Sequence, residues 1–380
     1  MIRSPLSACY LILLSFTIAT LTGCASKPRQ RENALAGNKP GSRLQRSGDE
    51  IVVAGQYFHT GAPVVLWTDP GGYDAYRIER RFAPWDEAGY APTTQKVKDI
   101  NSPTRYGVRS RVLEDAELEK VRGGGWPLEL LQDKVDQFVI HYDVAGTSRT
   151  CFKVLHDMRG LSVQFMLDVD GTIYQTLDAK EAAHHATKSN HRSVGIEIAN
   201  MGAYSSTAAP LKEWYSKDKT GRTRLTIPAR FGDGGIRNKD VVLRPARDEM
   251  VVGQIHGTNF RQYDLTPQQY DSLTKLTAAL CTALPRIECD YPRDENGELI
   301  RTNLADDQWR DFSGVLGHWH VQRNKQDPGP AFQWDRVIDG ARELMGKPPK
   351  PKRGNVHPST QPTTQPTSRP SRFAREGGAR

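Results

Sequence analysis

Residues Gly317 to Pro330 read G-H-W-H-V-Q-R-N-K-Q-D-P-G-P. The apolar run Gly314-Val315-Leu316 before them has the make-up of a short buried strand, which sets His318 at a strand end. A polar loop then returns Lys325 and Asp327 just before a Pro-Gly-Pro stop. Imidazole and carboxylate together suit Zn²⁺, whose catalytic sites take three protein ligands and keep one position open. A short loop does not close such a site alone. His141, at the end of the β-rich run Gln137-Phe138-Val139-Ile140, is the third candidate. Taken singly, Gly-His is usually an ordinary strand end and Asp-Pro-Gly an ordinary turn. The stretch Ser193 to Asn200 shifts that balance. In it Val194, Ile196 and Ile198 alternate with Gly195, Glu197 and Ala199, which predicts a strand with Glu197 opposite the apolar stripe. A carboxylate in such a strand is costly if buried without a partner. A water activated at a metal is such a partner, with Glu197 as general base.

Other motifs fall in order around these. Ile140-His141 is followed by Asp168-Val169-Asp170-Gly171-Thr172-Ile173-Tyr174-Gln175, then His185-Ala186, then Ser193 to Glu197, then Gly317-His318 and Lys325 to Pro330. In this order they resemble the zinc-dependent type-2 N-acetylmuramoyl-L-alanine amidases, a family that shares its fold with the peptidoglycan-recognition proteins. The resemblance covers about 135 to 340. It implies that His141, His318 and Asp327 bind one zinc per chain, that Glu197 activates water, and that Lys325 stabilises the developing oxyanion. It also implies a substrate groove along residues 182–186, with His185 a candidate for hydrogen-bonding substrate; Tyr142, next to a proposed ligand, is expected to line the groove or pack. The bond cut would join the lactyl group of N-acetylmuramic acid to L-alanine, in peptidoglycan or its fragments. A receptor without turnover and a peptidase acting within the stem peptide are the alternatives; the complete ligand set favours the enzyme. Two departures stand out. Gln164 occupies a position where relatives often carry His, and residues 203–264 have no counterpart. His256, in Val251-Val252-Gly253-Gln254-Ile255-His256-Gly257, mimics a strand-end ligand but is expected to be structural. His320 would share a face with His318 if the strand continued; because the loop starts there, it is expected either behind the ligands or in the groove wall.

The periodicity predicts strands at 137–141, 163–167, 172–177, 194–199 and 314–317, and a helix over 150–157. A second helix starts at Thr266-Pro267-Gln268-Gln269, a capping residue followed by Pro and Gln in their favoured places. Tyr270, Leu273, Leu276, Leu280 and Leu284 then form its core stripe. A last helix runs from Trp334 through Met345. Together these predict an α/β fold with a central mixed sheet flanked by helices. The runs Ile51-Val52-Val53-Ala54 and Pro63 to Trp67 are either a small β subdomain or strands added to the main sheet. The expected domains are a lipoprotein signal peptide (1–23), a flexible tether (24–47), a β-rich or irregular extension (48–125), the zinc amidase domain (126–346, insertion about 203–264) and a disordered basic tail (347–380). In the tail, Ser359 to Pro370 repeats Pro every four residues, which excludes helix and buries no core.

Arg3, the apolar stretch Leu6 to Leu21 and the ending Leu21-Thr22-Gly23-Cys24 read as an export signal too short for a membrane-spanning helix, which needs ~20 residues. Its end resembles a bacterial lipobox, which implies lipidation at Cys24. An ordinary cleaved signal is the alternative. Export and a lipid anchor, on the periplasmic face of an outer membrane where one exists, are expected. The net charge of +8 is uneven: the signal, the 25–47 segment and the tail carry +1, +5 and +7, which leaves −5 for 48–346. The basic ends suit anionic lipid or wall polymers. Basic residues without interleaved aromatics, in an exported chain, argue against nucleic acid. A monomer is expected. Cys281 and Cys289 are close enough in sequence to bridge, leaving Cys151 over; three free thiols are the equal alternative.

Overall fold

Six strands build the central sheet: β1 (Val64–Leu66), β2 (Gln137–Tyr142), β3 (Phe165–Leu167), β4 (Ile173–Gln175), β5 (Ser193–Ile198) and β6 (Gly314–Gly317). The computed structural model describes residues 39–89, 105–206 and 208–350. Across the sheet the order is β6-β2-β5-β3-β4-β1, and every neighbouring pair is parallel except the β3–β4 hairpin. The sheet is mixed, as expected, and the predicted strands lie within two residues of the observed bounds. β2 is buried along its whole length, which is why it reads as an apolar run rather than an alternation. Gly171 closes the hairpin at φ 88°, and a Cβ there would sit 2.9 Å from the Gln268 carbonyl oxygen. The turn therefore requires glycine twice over, for its conformation and for the close approach.

The two faces of the sheet have different jobs. On one face, Phe138, Ile140, Phe165, Val194, Ile196 and Val315 form the main apolar core. On the other, Met166 and Tyr174 pack against Cys151 and Phe152 of α1 (Ser148–Phe152), and this face also carries the polar site residues. The predicted helix over 150–157 is α1 continued by a π-helical segment, Lys153–Met158. The main core is closed by α2 (Pro267–Ala283) and α3 (Trp334–Leu344). Thr266 caps α2 as expected: its hydroxyl accepts from Gln269 N–H at 3.1 Å, and Gln269 Oε1 accepts from Thr266 N–H at 2.9 Å. Tyr270, Leu273, Leu276 and Leu280 are fully buried. At roughly 1.5–3 kcal/mol for each large apolar side chain, this stripe binds α2 far more strongly than its cap does.

Both readings of the N-terminal β-rich run hold in part. Glu50–Val53 and Gln56–His59 form a separate hairpin, while Val64–Leu66 joins the main sheet beside β4. Gln175 holds the hairpin to the sheet, accepting from Val52 N–H and donating to Val52 O, both at 2.8 Å. The insertion carries a helical turn (Ala209–Trp214) and two hairpins, Tyr215–Lys217 with Thr223–Leu225 and Val251–Ile255 with Thr258–Gln262. Trp214, Tyr215, Leu225 and Leu243 give it a small core shared with Val169, Ala199 and Met201. Residues 39–46 belong to a separate compact unit, in which Ser42 N–H donates to Lys39 O at 2.9 Å. Cys151, Cys281 and Cys289 are buried free thiols, and that of Cys289 donates to Ile338 O at 3.7 Å. Among the described residues no helix is long and apolar enough to cross a membrane. The expected signal peptide, Cys24, residues 25–38 of the tether, residues 90–104 and the tail beyond 350 lie outside the described residues.

Candidate active site

Strand register brings the distant motifs together. His141, one residue before the end of β2, lies directly beside Glu197 of β5, with both side chains on the face away from the main core. Gly317 of β6 pairs with Ile140, so His318, the next residue, arrives level with His141. There the chain turns into one helical turn, His318–Val321, instead of continuing as strand. That turn rotates His320 away from His318, so the shared face that a continued strand would give does not arise. Its Nδ1 accepts from Gly317 N–H at 2.9 Å and its Nε2–H donates to Ile300 O at 2.7 Å. Burial pushes the His320 pKa down to about 3, so it is a neutral structural ring.

The loop after the turn returns Asp327. His141 Nδ1 and His318 Nδ1 lie 2.9 Å apart, and Asp327 Oδ2 is 3.0 Å from the first and 2.9 Å from the second. All three residues are buried. Their hydrogen bonds assign the protons. Gln322 Oε1 lies 2.6 Å from His318 Nε2, so that nitrogen carries the proton and Nδ1 offers a lone pair. Ser193 donates its hydroxyl to Ser189 O and so accepts from His185 Nε2 at 3.3 Å. His185 Nδ1 is then the acceptor for His141 Nε2–H at 3.0 Å, which leaves His141 Nδ1 unprotonated as well. Two lone pairs and a carboxylate oxygen converging on one point repel each other unless a cation lies between them. Two imidazoles and a carboxylate are also a donor set that zinc takes, and the residues therefore fit the metal. A second cluster, Asp49, Glu50 and His59, lies at the exposed end of the N-terminal hairpin. Its carboxylates already accept backbone N–H groups.

Electrostatics sharpen the arrangement. Burial pushes the Asp327 carboxyl upward; His318 and His141 pull it below the usual range only as N–H donors, a part that a cation takes over when both Nδ1 atoms are unprotonated. Burial, then the neighbouring His318, lowers His141 to about 4. Glu197 moves the other way: burial, reinforced by the Asp327 and Asp143 charges, raises it well above an ordinary glutamate. Its Oε2 is buried and finds no hydrogen-bond partner among the described residues. Such an orphaned acceptor facing a cavity is poised to take a proton from whatever enters.

These groups line one cavity of about 280 Å³, together with Tyr142, Lys325 and Arg159. That volume is near the small end for ligand pockets, which fits the scissile region of a large substrate rather than the whole. The structure thus gathers His141, His318, Asp327, Glu197, Lys325, Tyr142 and His185. Both ring nitrogens of His185 are engaged here, one by His141 and one by Ser193. Gly195 explains why: a Cβ there would fall 2.5 Å from the His185 ring, and its absence lets the imidazole lie flat against β5. Sequence reasoning missed Arg159, Gln322 and Ser193. A lone arginine after a helix and a serine at a strand start carry no pattern that reveals where they point.

Comparisons with known proteins come from one family model and from solved structures. The model described as N-acetylmuramoyl-L-alanine amidase matches residues 131–330. No curated protein matches the chain. Similar solved structures include the endolysin N-acetylmuramoyl-L-alanine amidase LysCS from Clostridium intestinale URNW (15% identity, 57% of this chain and 87% of that one, TM-score 0.29). Another is the E. coli N-acetylmuramyl-L-alanine amidase AmiD in complex with the substrate anhydro-N-acetylmuramic acid-L-Ala-D-gamma-Glu-L-Lys (15% identity, 59% and 60%, TM-score 0.31). A third is the Drosophila peptidoglycan recognition protein SA (13% identity, 57% and 80%, TM-score 0.25). Superpositions this loose carry no argument of their own.

Proposed function

Because the chain belongs to the N-acetylmuramoyl-L-alanine amidase family, we propose that it is a zinc amidase cutting between the lactyl group of N-acetylmuramic acid and L-alanine, in peptidoglycan or its fragments. The observation that carries this reading is the convergence of two unprotonated imidazole nitrogens and the Asp327 oxygen beside the orphaned Glu197 carboxylate. An amide resists hydrolysis because its carbonyl is a poor electrophile and its amine a poor leaving group. Held by His141, His318 and Asp327, zinc would supply Lewis acidity toward the carbonyl and ease deprotonation of the attacking water. Glu197 accepts that proton, and its raised affinity for protons makes it the stronger acceptor. The protonated carboxyl then delivers the proton to the departing nitrogen of L-alanine as the C–N bond breaks. Lys325 places an ammonium in the same cavity, where it stabilises the tetrahedral oxyanion. Arg159 adds positive charge to the wall, which suits the carboxylates of a stem peptide.

We also propose that the mature protein is exported and held to a membrane by a lipid on Cys24, with basic ends that touch anionic lipid or wall. Digestion of purified peptidoglycan, followed by mass spectrometry of the released fragments, tests the activity. Free stem peptides beginning with L-alanine are expected. Intact wall with bound protein, or shortened stems still joined to the glycan, would each refute the reading.

A further inference from the structure

Lys325 and Asp327 sit on a loop, and a loop of this length does not fix a side chain unaided. Its internal bonds in this stretch are weak, Lys325 N–H to Gln322 O and Trp319 N–H to Asp327 O, both at 3.2 Å. The shorter contacts come from the insertion. His256 Nε2 lies 2.9 Å from Lys325 O. Gln262 donates to Pro328 O at 2.9 Å and accepts from Ala331 N–H at 3.0 Å. Arg247 donates to Ala331 O. Pro330 rests on Gly253, where a Cβ would come within 2.8 Å of the ring. One hairpin, together with Arg247 four residues before it, thus grips the loop from 325 to 331.

We infer that the Val251–Gln262 hairpin positions the catalytic loop, with His256 as the positioning residue for Lys325. The inference rests on the reading that Lys325 acts in the reaction. Local conformation supports it. His256 and Gly257 form the two-residue turn of the hairpin, with φ of 52° and 76°. Turns of that kind favour Asn-Gly or Asp-Gly, and a histidine held at positive φ is uncommon. The ring therefore earns its place by what it reaches. Its backbone N–H also donates to Arg301 O at 2.9 Å, so the tip is fixed at both ends. Fixing the Lys325 carbonyl sets the peptide plane that follows and hence the direction in which the lysine stem leaves the backbone. A misplacement of ~1 Å at a catalytic group costs on the order of 10²-fold.

The test uses the mature protein with His256→Asn, which suits the turn but removes the ring, and His256→Gln, which keeps a donor. For His256→Asn, kcat on a soluble muropeptide is expected to fall about 10–100-fold, while KM and zinc content stay within about twofold. Hydrogen exchange at residues 322–328 should speed up, and His256→Gln should recover most of the loss. In a Lys325→Ala background, adding His256→Asn should cost nothing further, because the ring acts through that lysine. Wild-type kcat in His256→Asn, or a full extra loss on top of Lys325→Ala, would overturn the inference. So would a loss matched by lost zinc or a lowered melting temperature. If the wild-type protein leaves the muropeptide intact, the amidase reading fails by itself. Exchange rates then still decide the clamp: faster exchange in His256→Asn supports it and unchanged exchange refutes it.

Discussion

Gly195→Ala probes the site through a single methyl group. The new Cβ would lie 2.5 Å from both Cε1 and Nδ1 of His185. Carbon contacts settle near 3.5–4.0 Å, so the ring must retreat by ~1 Å. His185 Nδ1 is now 3.0 Å from His141 Nε2 and its Nε2 is 3.3 Å from Ser193 Oγ. A displacement of that size along the ring normal lengthens both bonds by a few tenths of an ångström and tilts them out of the ring plane, which weakens them. The partner that keeps the His141 proton on Nε2 is then weakened, and a metal must compete with a proton for Nδ1. Losing such an outer partner typically costs about 10–100-fold in metal affinity, or roughly 1.4–2.7 kcal/mol. Crowding the packed site should destabilise the metal-free protein by a further ~1–3 kcal/mol. Zinc affinity measured by chelator competition, beside the melting temperature of the metal-free protein, separates the two effects. Wild-type zinc affinity in a destabilised Gly195→Ala protein would show that the ring can move without disturbing the ligand, and the outer-partner argument would fail.

Glu197→Gln should retain zinc and lose turnover by ~10²–10⁴-fold. Its melting temperature should not drop, since the neutral amide escapes the burial that raises the carboxylate; near-normal turnover in a folded, zinc-loaded variant would remove Glu197 as the base. Asp168 tests the electrostatics away from the ligands: burial, then the Asp170 charge, raises it to about 8. The folded state then holds a proton that the unfolded chain releases near pH ~3.9, so this contribution to stability is complete at low pH and fades as pH rises through about 8. Asp168→Asn should therefore flatten the fall in melting temperature between about pH 5 and pH 8, whereas parallel profiles would refute the shift. Cys24→Ser should move the protein out of the detergent phase in phase partitioning; unchanged partitioning would mean another anchor.

What could be read from sequence alone follows the range of the interactions. Ile140-His141, Glu197 among alternating residues, and Gly317-His318 were legible because strand periodicity fixes which face a side chain takes. Parallel register then brought them together without further information. The cap at Thr266 was legible because its bonds span three residues. The partners of His320 were not legible because the chain breaks into a helical turn at 318, a change of period that two flanking histidines do not announce. The direction of the His185 ring was not legible because it depends on how the 186–192 return packs it against Gly195. The grip of the insertion was invisible for a different reason: His256 contacts a backbone carbonyl 69 residues away, and backbone acceptors leave no mark in composition. Val64–Leu66 joins the sheet beside β4 through a comparably long connection, so both of its placements remained open.

Zinc per chain, measured together with muropeptide hydrolysis on the same preparation of wild type and His318→Ala, tests the central claim most directly. Wild type should carry one zinc and release peptides beginning with L-alanine, and His318→Ala should lose both the metal and the activity while remaining folded. Full zinc occupancy in His318→Ala, or undiminished hydrolysis by wild type stripped of zinc, would contradict the account.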